Sequence, residues 1–246
     1  MNKTFFLAPL VYLVSTNGFA GTMGEAPEIY KNIITLSGGP AWTSSGKSQV
    51  LYLEPDVFNA YKAKKNDSTL GSAELFLGMQ RLLGQSFIGQ LGIAFAGSSN
   101  AKLSGNVWLD ADPSFDDFFY NYKINHTHVA VKAKVLAGTQ YWAQPYISGS
   151  LGVGFNRAHD FRLTPKIFEQ LTPPSFVDHT QTSFTYTAGV GLQKSFCQHW
   201  SFGVGYEFAD WGQSKLSRSI AQSMGSGPKL SHLYTHQLQF SLSYQI

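Results

Sequence analysis

Charge is scarce in this chain. Only 13% of its 246 residues are Asp, Glu, Lys or Arg, against roughly 25% in an ordinary soluble domain. A conventional water-facing surface cannot be built over so much of the sequence. The 18 basic and 15 acidic residues leave a net charge of +3, too small and scattered for the basic stripe of a nucleic-acid binder. A single cysteine, Cys197, excludes an intramolecular disulfide framework. After the first twenty residues no apolar run approaches the ~20 residues that a membrane-spanning helix needs. Acidic low-complexity and coiled-coil patterns are missing as well. What is abundant is Gly (24), Phe (19), Tyr (12) and Trp (5), the composition of a folded, strand-rich chain.

The amino terminus reads as an export address. Lys3 precedes an apolar run over residues 5–14, and Gly18-Phe19-Ala20 supplies a small-x-small cleavage site. Cleavage is expected after Ala20, because Ser15-Thr16-Asn17-Gly18 ends the run too early for an anchor. Residues 1–20 are then a signal peptide, 21–29 a short lead and 30–246 the folded domain.

Downstream, apolar and polar residues alternate with period two, the signal of strands. Eight segments carry it: Ile34-x-Leu36 near Trp42, then stretches centred on Leu77, Ile93, Val131, Leu151, Ala188, Val204 and Phe240. Connections alternate in length. Short turns lie near residues 84–86, 138–143 and 195–199, whereas 43–69, 98–118, 157–180 and 212–231 are long and polar. An eight-stranded antiparallel up-and-down transmembrane β-barrel has this plan, with short periplasmic turns and four long extracellular loops. A lipocalin-like soluble barrel is the rival. Its outward face would have to be the Ser, Thr, Gly and Gln face, such as Thr185, Thr187, Gly189, Gly191 and Gln193, which carries too few charges for a soluble exterior. Tyr234 and Tyr244 share one face and stand roughly 25 Å apart along a tilted strand, the height of a lipid-facing band. Trp42, Phe155, Trp200, Phe208, Tyr234 and Tyr244 are the expected interfacial aromatics; the direction of Trp211 stays open.

The stretches Leu36-Ser37-Gly38-Gly39-Pro40-Ala41-Trp42, residues 145–155 (PYISGSLGVGF) and residues 203–212 (GVGYEFADWG) make the chain resemble the small outer-membrane β-barrel proteins of Gram-negative bacteria, the opacity-protein and OmpA/OmpX/OmpW-like group. The resemblance spans about residues 30–246. In that group the last strand ends on an aromatic signal for the barrel-assembly machinery; Phe240, Leu242 and Tyr244 fit and Ile246 departs. The resemblance implies an outer-membrane location, contact with outer-membrane lipid and lipopolysaccharide, and a host or surface ligand at the loops. A monomer without a cofactor is expected.

Parity turns two acids and two bases inward, Glu74, Glu207, Lys132 and Lys134. An interior barely wide enough for side chains favours a paired network among them. Lys62, Lys64 and Lys65 in the first loop, with Lys215, Arg218 and Lys229 in the fourth, are candidates for meeting phosphates or another anionic surface. His126 and His128 share an inward face but lack the third ligand that zinc requires, His159 and His179 being distant in sequence. They are expected as satisfied polar residues near the rim. Asp110, Asp112, Asp116 and Asp117 lack the turn glycine of an EF-hand and read as a solvated loop tip. Cys197 reads as a free thiol in a periplasmic turn. Three functions follow: a non-enzymatic envelope or adhesin-like protein acting through its loops, a narrow passive channel, or a lipid-modifying enzyme.

Overall fold

The computed structural model describes residues 30–246 apart from positions 45, 66, 67, 139, 140 and 221; the expected signal peptide and lead lie outside the described residues. The alternating segments are strands. In chain order they are β1 (Lys31–Thr43), β2 (Gln49–Glu54), β3 (Val57–Ala63), β4 (Ser68–Leu83), β5 (Phe87–Ser98), β6 (Ala101–Leu109), β7 (Asp116–Ala137), β8 (Gln144–Pro165), β9 (His179–Ser195), β10 (Trp200–Asp210), β11 (Ser214–Lys215), β12 (Lys229–Leu230) and β13 (Tyr234–Gln245), with one 3-10 turn at Pro113–Phe115.

Eight strands close into a ring in the order β1, β4, β5, β7, β8, β9, β10, β13, every neighbouring pair antiparallel. The seam is β1 against β13, from Ile33 opposite Gln245 to Thr43 opposite Thr235. Closure removes the edges that would otherwise present unpaired N–H and C=O groups. The ring strands are the eight read from the periodicity.

The two faces differ in chemistry. Ile34, Leu36, Leu77, Leu91, Val131, Leu151, Val190, Phe202, Val204 and Leu242 point outward and are exposed. Between them Thr35, Ser37, Gln90, Ser150, Thr187, Gln193, Ser201 and Ser243 are buried in the interior. An apolar band outside and a polar lining inside is the inverse of a soluble barrel and suits a lipid solvent. Inside, glycine makes room where a ring intrudes. Gly191 and Gly205 face each other on β9 and β10, and a Cβ on either would strike the Tyr146 ring.

The long connections depart from expectation. Residues 43–69 hold the β2–β3 hairpin and residues 98–118 hold β6, so neither is an open polar loop. β7 and β8, 22 residues each, run on past the ring; β6 pairs with upper β7, β3 with β6 and β2 with β3. A register shift in β7 at Asn121/Lys123 and the left-handed Asp160 opposite it (φ 56°) mark where this extension bends. The cause is burial. Leu51, Tyr61, Leu103, Val107, Phe118, Tyr120 and Tyr122 point inward and join Phe161, Phe176, Leu216 and Leu230 in one apolar core above the ring. The fourth connection covers the free edge of β2, with the N–H groups of Ser223 and Met224 donating to the Leu53 carbonyl. The four connections therefore build a folded cap.

Val204 lies on the outward face halfway between Trp200 and Phe208. Val204→Lys should lower unfolding stability in bilayers by about 2–4 kcal/mol, the cost of a lysine at a bilayer midplane. Urea unfolding in vesicles checks this; an unchanged stability would mean that this face does not meet lipid.

Candidate functional site: the filled lumen and the outer cap

Three of the four inward charges meet. Lys132 on β7 donates to both oxygens of Glu74 on β4, at 2.7 and 2.9 Å, and to Glu207 Oε2 on β10 at 2.7 Å. The other oxygen of Glu207 accepts from Gln239 at 3.0 Å. All three charged residues are buried, and the strands that carry them lie on different sides of the ring, so the cluster crosses the lumen. Lys134 behaves differently. Its ammonium donates to Gln193 Oε1 at 2.5 Å and sits 3.8 Å from the centre of the Tyr146 ring, with no carboxylate partner among the described residues. Lys132 already occupies both acids, so Lys134, one residue pair towards the short turns, takes an amide and a ring face instead. The cavity between these groups is about 30 Å³, enough for about one or two waters.

A second polar layer lies nearer the cap. Asn156 Nδ2 donates to the carbonyls of Trp211 and Gln213, both at 2.7 Å, which leaves its Oδ1 for His126 Nδ1 at 2.7 Å. His126 then carries its proton on Nδ1, and its Nε2 accepts from His128 Nδ1 at 2.8 Å. Trp211 points inward, is 2% exposed, and stacks on His126 with centroids 4.4 Å apart. The histidines are thus deep in the lumen beneath the cap, not at a wet rim, because Trp211 and the cap core shut that end. His159 and His179 are engaged elsewhere, with Asn100 and Ser217. Among the described residues no group of three or more His, Cys, Asp or Glu side chains is placed to hold a metal.

Above this layer is an aromatic core. Tyr120 stacks on Phe161 at 6.2 Å, Phe161 meets Phe176 edge-on at 4.9 Å, and Tyr61 packs against Tyr120 and Phe176. Burial pushes the Tyr120 hydroxyl up to about 12 and raises Tyr61 and Tyr122 further. This core escaped sequence reasoning. Its signal was Phe118-x-Tyr120-x-Tyr122-x-Ile124, four alternate apolar residues beside the acidic run that drew attention.

The remaining candidates are dispersed. Trp200 and Tyr244 pair across β10 and β13 at the short-turn end, with centroids 4.9 Å apart. Phe208, His236 and Trp42 adjoin on three strands at the cap end, near Tyr234. Phe155 is exposed on β8. Phe87, Tyr141 and Trp142 are also exposed at the short-turn end, which the sequence reading missed. Lys62 lies over the Trp108 ring at 4.5 Å, and Lys64 and Lys65 are exposed. Lys215 and Lys229 face each other in the β11–β12 pair, and Arg218 is exposed beyond it. The four aspartates do not converge: Asp112 caps the 3-10 turn, Asp116 pairs with Lys166 at 2.6 Å, and Asp117 accepts from Gln170.

No family model and no curated protein matches the sequence. Among solved structures the chain is similar to the outer membrane protein OprG from Pseudomonas aeruginosa, with 14% identity over 87% of this chain and 96% of that one at a TM-score of 0.50. Neisserial surface protein A gives 11% identity over 87% and 97% of the two chains at 0.44. The outer membrane protease OmpT from Escherichia coli gives 9% over 92% and 99%, also at 0.44. The likeness to OprG shows the fold, that of the small outer-membrane β-barrel proteins.

Lys132→Met strips two buried carboxylates of their cation and should cost about 3–5 kcal/mol; unchanged urea unfolding in vesicles would contradict the pairing. The cap should respond to alkali. Its buried tyrosines have raised folded values, so their contribution is intact below the ordinary value of 10.0 and is lost as pH climbs towards about 12 and beyond. Tyrosinate absorbance should rise late and together with loss of near-ultraviolet dichroism; a simple titration of every tyrosine near 10 would contradict it.

Proposed function

We propose that this chain is a non-enzymatic, monomeric protein of the outer membrane of a Gram-negative bacterium, exported by its N-terminal signal peptide and inserted by the barrel-assembly machinery. It acts through its outer cap on a surface partner, and the barrel serves as the anchor. The observation that carries this reading is the obstruction of the lumen at three levels. Lys132, Glu74 and Glu207 cross it; His126, His128, Asn156 and Trp211 fill the layer above; and the aromatic core closes the end. With the lumen filled at these levels by described residues, the part left to meet a partner is the cap. Trp42, Phe155, Phe208 and Tyr234 at the cap end, and Trp200 and Tyr244 at the other, serve as interfacial girdles. The paired network is a structural plug, with Lys134 held outside it. Lys62, Lys64 and Lys65, and Lys215, Arg218 and Lys229, give the cap basic points for anionic groups.

Single-channel recording of the refolded mature chain in a planar bilayer tests this reading. A correctly folded barrel should give no discrete conductance steps. Reproducible steps would favour the narrow passive channel and overturn the plug.

A further inference from the structure

The short-turn end of the lumen is rich in cations and amides. The register sets Lys31 on β1 opposite Gln80 on β4, Gln80 opposite Gln90 on β5, and Gln90 opposite Lys134 on β7. A row of inward side chains thus crosses four consecutive strands, with a cation at each end and two amides between. On β8 and β9 Gln144 lies opposite the buried Gln193. No described acid balances this end. Lys132 occupies Glu74 and Glu207, and the other described acids lie in or beside the long connections at the opposite end. Lys31 has no ion-pair partner among the described residues.

A cavity of about 370 Å³ opens at this end, and Lys31, Gln80, Arg81, Gln144, Gln193 and Gln245 are in its lining. That volume is at the small end of the range of ligand pockets. Hydrogen bonds orient the amides. Gln80 Oε1 accepts from Gln90 Nε2 at 2.8 Å and from Gln245 Nε2 at 3.2 Å, and Gln193 Oε1 accepts from Lys134. With those oxygens taken, the NH2 groups of Gln80 and Gln193 are the donors left for the cavity. Arg81 is engaged with the Tyr30 hydroxyl at 3.0 Å. Through Gln193 the cavity adjoins the Lys134 ammonium, whose charge an amide and a ring receive without cancelling. A confined charge in that state favours an anion nearby.

We infer that this mouth is a binding site for the carboxylates of a short acidic peptide. Lys31 supplies a charge at the rim and Lys134 a second one beyond Gln193, with amide N–H donors between them for carboxylate oxygens. The remaining amide groups select a peptide. Gln144 offers a donor and an acceptor, and Gln245 an acceptor, which suits a peptide bond, whereas a phosphate at neutral pH makes use of the donors alone. The site goes beyond the cap reading, because it lies at the opposite end of the barrel. With the short turns in the periplasm, two sources carry this chemistry: a free acidic peptide of that compartment, and the chain's own Glu25 and Glu28, shortly before Lys31 in sequence.

The test uses the full mature chain folded in detergent micelles, with folding verified by heat-modifiable electrophoretic mobility. It is titrated with the dipeptide Glu-Glu, with Gln-Gln and with inorganic phosphate, while the side-chain amide resonances of its glutamines are followed by NMR. Glu-Glu should shift the Gln80 and Gln193 signals and bind about tenfold more tightly than Gln-Gln, as expected of a few charge-assisted contacts. Lys31→Gln, at the exposed rim, and Lys134→Gln should each remove most of that preference. Lys194→Gln, whose ammonium lies over the Trp142 ring at the same end, should keep it. Glu25→Gln/Glu28→Gln separates the sources: tighter Glu-Glu binding than in the parent makes the chain's own acids the occupant, and unchanged binding makes it a free peptide. Equal binding of Glu-Glu and Gln-Gln in both forms, or a preference that survives Lys31→Gln and Lys134→Gln, would overturn the site. Equal affinity for inorganic phosphate at the same signals would overturn the choice of a peptide. The assay involves neither the cap nor a bilayer, so its failure leaves the proposed function standing.

Discussion

In lipid a backbone N–H or C=O without a partner costs several kcal/mol, and the architecture of this chain follows from that constraint. An open eight-stranded sheet would carry two unpaired edges, and the β1–β13 seam removes them. Once the ring closes, its outward face must be apolar and its inward face has room only for side chains. The alternation of Val, Leu, Ile and Phe with Ser, Thr, Gly and Gln is the sequence-level form of the same requirement. The scarcity of charge has the same origin, because the band that meets lipid cannot be charged and the lining is too crowded for charges that lack partners.

Crowding then determines what the interior can be. Glu74, Glu207 and Lys132 are tolerable because they satisfy one another across the lumen, and Lys134 is tolerable because Gln193 and the Tyr146 ring receive it. In the histidine layer donors run from His128 to His126 to Asn156 and on to the Trp211 carbonyl, while His128 Nε2 and Trp211 Nε1 are buried without a partner among the described residues. These groups fill space and fix the relative positions of strands. Beyond this filled interior β7 and β8 outgrow the ring and gather the other connections around Tyr61, Tyr120 and Phe161.

Much of the ring was legible because strand parity depends only on neighbours in sequence. The eight segments, the outward Trp200 and Tyr244, and the inward Glu74 and Lys132 all follow from counting by two. What could not be read was anything requiring register between strands. Lys134 has the parity of Lys132, yet which of them reaches the acids depends on how β4, β7 and β10 are aligned. The cap was hidden for a related reason. Leu51, Leu103 and Tyr120 alternate as clearly as ring residues, but Pro, Asp and Lys nearby resemble loop punctuation, and the partner surfaces lie in three other connections. Trp211 keeps the inward parity of Ser201, Glu207 and Ala209 and stacks on His126 just beyond the end of β10; its direction stayed open in the sequence because a bulge before it would have reversed it.

A double-mutant cycle in reversible bilayer unfolding asks whether Lys132 and Glu207 act as one buried cluster across the lumen. Lys132→Met and Glu207→Gln are measured singly and together. Direct contact at 2.7 Å predicts that the two losses fail to add, with a coupling of about 1–3 kcal/mol. Additivity within about 0.5 kcal/mol, the behaviour of distant sites, would contradict the account.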